Sequence, residues 1–289
     1  MPTAAVSAAT PDGNLYYRHT LAVRLMHWIN VIALTVLFMS GLQIFNAYPE
    51  LHFGKSSYTG RPPVLEIGAQ QAADGTLTGV TRVFGAQFDT TGVLGVARAG
   101  DGRLVPSTFP PWMMLPGSQW LSMARSWHFF FAWVFVVNGL LFVLYSMASR
   151  HLARDLAPTR DELKGLGASI RDHLRFRHPT GEASKRYNVL QKLAYLVVIF
   201  VLLPLVILMG FGMSPWLNSL AAGWVDVVGG RQSARSIHFI VAWLLVGFVA
   251  IHVFEVIITG LWNNLRSMIT GRYRVVPEKS HDSLAHAND

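Results

Sequence analysis

Four long stretches without charged side chains divide the chain. They cover residues 25–48, 126–149, 193–225 and 236–254. Each contains a core of roughly 20 apolar residues, which is the length that a helix needs to cross about 30 Å of hydrocarbon. The pattern predicts four transmembrane helices, at about 21–46, 122–149, 188–213 and 233–262.

The distribution of lysine and arginine predicts the orientation of these helices. The 150–187 connection carries nine such residues and the C-terminal segment adds four, whereas the longer 49–120 loop carries five. Because cytoplasmic loops are enriched in Lys and Arg, we expect 150–187 and both termini to be cytoplasmic. The 49–120 segment then becomes a long periplasmic loop between helices one and two.

The 49–120 loop is long for a connection without a function. Its middle, 68–102, is rich in Gly, Thr and Val, which favours short strands and turns, with a disordered insertion as the alternative. Its end, 109–120, contains several aromatic residues and prolines, as expected for a segment at a membrane interface. We expect a small extracytoplasmic platform here, and a mobile tail at 277–289.

The composition narrows the chemistry. The chain is 52% hydrophobic and 14% charged, which is typical of a membrane protein and not of a soluble domain. Its net charge of +8 comes from the loops, so we interpret it as a topology signal and a contact with anionic lipid, with no nucleic acid as partner. Cysteine is absent, which excludes disulfides, thiolate metal sites and covalently attached haem. Histidine is therefore the main possible ligand of a redox metal.

Four histidines lie within the apolar stretches, where an ionisable group is costly and usually functional. His27 lies near the cytoplasmic start of helix one, and His128 near the periplasmic start of helix two. Helix four carries His238 near its periplasmic start and His252 fourteen residues later, on the same face and about 21 Å further along. The depths pair His27 with His252 and His128 with His238.

Each pair of neutral imidazoles is suitable for the axial coordination of a b-type haem. The sequence therefore predicts two haems, an inner one at His27 and His252 and an outer one at His128 and His238. A hydrogen-bonded core histidine is the alternative for each residue alone. Zinc is a poor alternative because two separated pairs lack the third and fourth ligands.

Two glycines and three arginines fit the same arrangement. Gly41 and Gly139 lie on the ligand faces of helices one and two, at the level where each helix has no ligand and the backbone must clear a macrocycle. Arg24, Arg125 and Arg235 each precede a proposed ligand by three residues, where they can pair with haem propionates. Close helix packing and contact with lipid headgroups are the respective alternatives.

Several strings resemble cytochrome b subunits of the bacterial cytochrome b561-like group, which includes those of formate dehydrogenases and nickel–iron hydrogenases. The thiosulfate-reductase branch is the most similar, and the resemblance covers about 18–273 except much of the 49–120 loop. The strings are RLMHW at 24–28, LSMARSWHFFFAW at 121–133, RYNVLQKLAY at 186–195, GGRQSARSIH at 229–238 and RSMITGRY at 266–273.

This resemblance implies a di-haem, quinone-reactive membrane subunit with a periplasmic partner, often a molybdopterin enzyme. It assigns ligand roles to the same four histidines. In formate dehydrogenase relatives, an Asn-x-x-Gln-Lys stretch lies beside the quinone pocket, and here it corresponds to Asn188, Gln191 and Lys192. Their side chains can hydrogen-bond a quinone and stabilise its reduced anion, although they are also ordinary residues for a helix entry. Glu255 follows His252 by three and is a candidate proton relay or a lipid-interface carboxylate.

The sequence as a whole predicts an all-α membrane protein, a single four-transmembrane-helix bundle over 1–289 in the bacterial inner membrane. We expect it to transfer electrons between a quinone pool and a periplasmic oxidoreductase, with no catalytic side chain of its own. Two alternatives remain open at this point. One is a stand-alone quinol-linked enzyme acting on a small oxidant, and the other is a membrane anchor that conducts no electrons.

Overall fold

A computed structural model describes residues 15–57, 60–117, 119–175, 187–221 and 223–275, with the side chains of 173 and 174 excepted. The expected mobile tail at 277–289 lies outside these residues. In chain order the elements are β1 (Leu15–Tyr17), α1 (Leu21–Asn46), β2 (Glu50–Leu51), β3 (Leu65–Gln71), β4 (Leu77–Val83), β5 (Ala86–Asp89), β6 (Gly95–Arg98), β7 (Leu104–Ser107), α2 (Leu121–Ala148), α3 (Arg160–Lys164), α4 (Leu166–Leu174), α5 (Val189–Val197), α6 (Leu203–Gly212), α7 (Pro215–Leu220), α8 (Arg231–Ile258), α9 (Leu261–Thr270) and β8 (Arg272–Arg274).

Among the described residues, four helical segments are long and apolar enough to cross a membrane, which confirms the predicted four-helix fold. Only a minority of the residues in each span is buried within the protein, so most of their apolar side chains face outward, as lipid-facing helices require. The four spans are Leu21–Asn46, Leu121–Ala148, Val189–Gly212 and Arg231–Ile258.

The third span is not a uniform α-helix. A π-helical turn, Val198–Leu202, separates α5 from α6, and Pro204 follows directly in the first turn of α6. Proline has no backbone N–H and its ring collides with the carbonyl four residues earlier, so a helix with an internal proline must adjust its preceding turn. The widened turn before Pro204 is this adjustment.

The contacts between residues group the chain into two compact units. Of the described residues, the first unit contains 15–27, 142–197 and 249–275, and the second contains 28–141 and 198–248. His27 and His252 fall in the first unit. His128 and His238 fall in the second. Each predicted ligand pair therefore lies within a single unit.

In the first unit, the described segments near the two ends of the chain form an antiparallel ribbon. β1 pairs with β8, with Tyr16 opposite Tyr273. Gly271 ends α9 with φ +82°, a conformation that glycine adopts readily. A Cβ at this position would lie 2.6 Å from Tyr17 Cε2, so glycine also allows β1 to approach.

In the second unit, the loop after α1 folds into a small β structure. β2, β3, β4 and β5 form an antiparallel sheet in that order, and β6 pairs with β7 as a separate hairpin. Gly95 has φ +85°, and a Cβ there would lie 2.2 Å from Gly68 O, so only glycine lets the hairpin lie against β3. Strands and turns thus occupy the 68–102 stretch in which the sequence predicts them.

An apolar cluster joins this β structure to the end of α1. Its buried members come from α1, β2, β3 and the segment that precedes α2, and Phe239 of α8 packs against it. Arg235 of α8 donates from Nη1 to Glu50 O at 2.7 Å and from Nη2 to Tyr48 O. The buried cluster members are Leu42, Phe45, Leu51, Ile67, Phe109 and Met114.

Candidate haem-binding site

Two pairs of facing histidines are the central feature of the site. In the first unit, the rings of His27 on α1 and His252 on α8 have centroids 6.5 Å apart and an interplanar angle of 59°. In the second unit, His128 on α2 and His238 on α8 have centroids 6.2 Å apart at 63°. The structure therefore brings together the same two pairs that the depth of each residue predicts.

The separation of the rings fits one metal ion between each pair. A bond from metal to imidazole nitrogen is about 2.0 Å, and the nitrogen lies about 1.1 Å from its ring centroid, so opposite ligands have centroids about 6.2 Å apart. The observed 6.2 and 6.5 Å agree with this value. Among the described residues, no group of three or more His, Cys, Asp or Glu side chains forms a metal site. Paired imidazoles suit the two axial positions of a haem iron.

Backbone carbonyls orient both histidines of the second unit. His238 Nδ1 lies 2.8 Å from Val206 O, and His128 Nδ1 lies 3.1 Å from both Leu37 O and Ser40 Oγ. A carbonyl oxygen only accepts, so each Nδ1 carries the proton and donates it. The lone pair of Nε2 is then available to a metal, which is the usual arrangement of a metal-ligating histidine.

Two glycines provide access to these carbonyls. Leu37 O and Val206 O belong to residues four positions before Gly41 and Gly210. A Cβ at Gly41 would lie 3.3 Å from His128 Cε1, and a Cβ at Gly210 would lie 3.4 Å from His238 Cε1. Each imidazole thus packs directly on a glycine. Because the glycine has no side chain, the ring can reach the carbonyl oxygen one helical turn earlier.

Sequence reasoning assigned Gly41 a different neighbour and missed Gly210. The structure places Gly41 against the ring of His128, and its clearance of a macrocycle stays a prediction. Apart from the neighbouring backbone of its own helix, no atom of the described residues lies within 4 Å of a Cβ built at Gly139, whose predicted role is likewise untested. The signal that would have found Gly210 is weak, because a glycine in an apolar helix usually serves packing.

The three predicted propionate arginines have different surroundings. Arg24 Nη1 donates to Ile269 O of α9 at 2.5 Å. Arg125 is exposed, and its guanidinium lies 6.0 Å from the ring centroid of Phe129. Arg235 donates to the carbonyls of Tyr48 and Glu50, which follow α1. A propionate contact stays a prediction for each of them, and at Arg235 it has to coexist with two backbone hydrogen bonds.

Asn188 and Gln191 begin the third span as a capping pair. Asn188 Oδ1 accepts from Leu190 N at 3.1 Å, while Gln191 Oε1 accepts from Asn188 N at 3.3 Å. Asn188 Oδ1 also accepts from Ser169 Oγ of α4 at 2.5 Å. These contacts satisfy backbone donors at the start of α5. The predicted contact of these two residues with a quinone is not tested.

Lys192 is buried and its charge is paired. Its Nζ donates to both carboxylate oxygens of Glu162 on α3, at 2.8 and 3.0 Å. Hydrogen bonds from Lys192, together with those from Thr159, lower the pKa of Glu162. The pair therefore attaches the connection after α2 to the third span. The quinone role of Lys192 and the relay role of Glu255 stay predictions.

Aromatic contacts link the ribbon of the first unit to the His252 ring. The Arg18 guanidinium lies 4.7 Å from the Tyr273 ring centroid and 5.4 Å from that of Tyr187. Tyr187 and Tyr195 have centroids 5.5 Å apart, and Tyr195 and His252 have centroids 6.3 Å apart. Burial raises the pKa of Tyr187, so its phenol stays protonated.

Comparison with known proteins agrees with this geometry. A family model described as prokaryotic cytochrome b561 matches residues 18–271. The chain belongs to this family. It is therefore a multi-pass bacterial membrane protein that binds b-type haem and takes part in electron transport, as the resemblance of its strings implies.

One curated relative of this b561-type cytochrome covers most of its length. It is the putative protein-methionine-sulfoxide reductase subunit YedZ1 of Azospira oryzae, which is 25% identical over 239 residues. The alignment spans 83% of this chain and 89% of the relative. No solved structure matches the chain.

Proposed function

We propose that this cytochrome holds two b-type haems and passes electrons between a quinone pool and a periplasmic oxidoreductase subunit. The observation that carries the proposal is the pair of facing imidazoles in each unit, at the separation that one iron ion requires. α8 carries one histidine of each pair, His238 and His252. The relative's designation as a reductase subunit favours a partner enzyme over a stand-alone one.

Each bound haem supplies a one-electron exchange at its iron. The chain supplies the ligands, their orientation and the exclusion of water. His128 and His238 are held in the Nδ1-protonated form by carbonyls, so Nε2 is the nitrogen that would bind the metal. All four histidines are partly buried, which limits the access of water to a bound iron.

We place the quinone near the His27 and His252 haem, beside the start of α5. This placement follows the resemblance of Asn188, Gln191 and Lys192 to the quinone-adjacent stretch of formate dehydrogenase relatives. The capping contacts of Asn188 and Gln191 use the side-chain oxygens, and within the described part of the chain the amide nitrogens of both remain available as donors. Glu255, three residues after His252, is our candidate for delivery of the proton.

The periplasmic partner is proposed to be of the molybdopterin class and to exchange electrons through the loops on the periplasmic side. The protein then lies in the inner membrane with both termini in the cytoplasm. The pairing of β1 with β8 supports a common side for the described ends of the chain, as four crossings require.

Counting haems in single variants tests the ligand assignment. The pyridine haemochrome of purified protein should give two haems per chain. His27→Ala and His252→Ala should each lose one haem, and His128→Ala and His238→Ala should each lose the other, with a different spectrum. His151→Gln is a matched control, because His151 lies outside the spans and pairs with Asp155 at 2.7 Å. A well-folded wild-type protein with fewer than two haems would end the proposal.

A quinol assay separates conduction from anchoring. In membranes that contain the partner, His252→Ala should abolish quinol-linked turnover while the partner remains bound. Full activity in this variant would identify a membrane anchor. Mass spectrometry of the gently solubilised complex should detect the partner subunit, and its absence would favour a stand-alone enzyme.

A further inference from the structure

Two arginines of the first unit carry buried nitrogen atoms without an acceptor. Arg24 Nε, Arg266 Nε and Arg266 Nη2 are inaccessible to solvent and lack a hydrogen-bond partner among the described residues. Guanidinium groups stay charged at any physiological pH, and a buried N–H group without an acceptor costs free energy. The described residues therefore leave three buried cationic donor atoms of this unit without an acceptor.

The Arg24 guanidinium contacts the last turn of α9, the helix that also carries Arg266. Arg24 Nη1 donates to Ile269 O, and Ile269 follows Arg266 by three residues, which places it one turn further along the same face of α9. Arg24 itself lies one turn before His27 on the ligand face of α1. The contact thus brings the C-terminal helix to the same end of α1 as the His27 ligand.

A surface cavity adjoins Arg266. It has a volume of about 370 Å³ and is lined by Leu15, Arg266, Thr270 and Arg272. The cavity adds a third arginine to the region and lies beside the ribbon of β1 and β8. An anion that reaches Arg266 from this side finds cationic and hydroxyl groups around it.

We propose that Arg24 and Arg266 form an oxyanion site that binds carboxylate or phosphate oxygens. The planar guanidinium presents parallel N–H groups that match two oxygens of such a group. The anion has two possible sources. One is a propionate of the haem held by His27 and His252, and this source rests on the proposed function. The other is the phosphate of an anionic lipid headgroup, and this source does not.

Arg24→Gln and Arg266→Gln, with two readouts, test the site and identify the source. A propionate predicts that the midpoint potential of one haem falls in both variants, because loss of a nearby cation favours the oxidised, more positive iron. The other haem keeps its potential. A lipid phosphate predicts unchanged potentials and the loss of one tightly bound phosphate per chain, measured by phosphorus analysis and native mass spectrometry.

Arg171→Gln is the matched control, since Arg171 is an exposed arginine of α4 in the same unit. It should change neither readout. Arg24→Lys and Arg266→Lys keep the positive charge but lose the parallel N–H groups of the guanidinium, so they should show smaller changes in the same direction. If the Gln variants do not fold, the Lys variants test whether the two arginines bind an anion. The proposal is wrong if the potentials and the bound phosphate both stay unchanged in the Arg24 and Arg266 variants.

The haem content of the wild type separates this proposal from the proposed function. If the wild type binds only the outer haem, the proposed function fails, while the phosphate readout still tests the arginine site. If it binds both haems, both readouts apply.

Discussion

Gly210→Val is the sharpest test of how the protein orients a haem ligand. Gly210 lies below the ring of His238, and a Cβ at this position would lie 3.4 Å from Cε1 and 3.6 Å from Nδ1. Alanine therefore makes an ordinary contact and should change little. The γ-carbons of valine extend about 1.5 Å beyond Cβ, so they would displace the ring from Val206 O, which it contacts at 2.8 Å.

The expected magnitude follows from the hydrogen bond that is lost. Partners that orient a metal-ligating histidine typically contribute about 10- to 100-fold in metal affinity. This factor corresponds to roughly 1.4–2.8 kcal/mol. Gly210→Val should therefore release one haem about 10 to 100 times more readily than the wild type. The other haem, held by His27 and His252, should be unaffected.

Transfer of haem to an excess of a high-affinity acceptor protein measures this release, and the electron paramagnetic resonance of the low-spin iron reports ligand orientation. Ala194→Val is the control, because Ala194 is an exposed residue of α5 in the same span. If Gly210→Val retains both haems with wild-type release and spectrum, the carbonyl does not orient His238.

Three further predictions concern stability. Burial, with a smaller effect of the adjacent Arg18 charge, lowers the pKa of His19 from 6.5 to about 4. The contribution of neutral His19 to the free energy of unfolding should therefore be complete above pH 6.5. It should be lost as the pH drops toward 4, by on the order of 3 kcal/mol. Thermal unfolding against pH should show a smaller fall in His19→Gln, and an equal fall would contradict the assignment. Asn138 Nδ2 donates to Asn30 Oδ1 at 2.7 Å between α2 and α1, and a double-mutant cycle with alanine should give a coupling of about 0.6–1.7 kcal/mol, whereas additive effects would refute it. Glu162→Gln leaves the buried Lys192 ammonium without its counter-charge and should lower stability by about 1–2 kcal/mol, less than for a fully buried pair because Glu162 is one-third exposed; Asp161→Gln, at an exposed carboxylate, should cost much less.

The sequence alone was sufficient to predict the four membrane-spanning helices and to predict which histidines face each other. A bilayer imposes a fixed length and an apolar composition on each crossing helix, so both are local properties that can be read residue by residue. The helical rise then assigns a depth to each histidine, and only two pairings have matching depths. The structure brings together His27 with His252 and His128 with His238 in agreement with this arithmetic.

The roles of neighbouring residues depended on tertiary contacts. Arg235 has the same spacing from its histidine as Arg24, but its guanidinium donates to Tyr48 and Glu50 carbonyls because the loop after α1 folds back onto α8. The capping roles of Asn188 and Gln191 were partly visible, since a polar residue followed three positions later by Gln before an apolar run is a helix-start signature.

The carbonyls that orient the ligands were beyond the sequence. Every helix residue has a carbonyl, and nothing local distinguishes Leu37 O or Val206 O from the others. They become hydrogen-bond partners only because a neighbouring helix presents a histidine to a glycine one turn later. Hydropathy and helical period are one-dimensional quantities that survive in any bundle, whereas the contact of a ring with one carbonyl depends on how two helices pack.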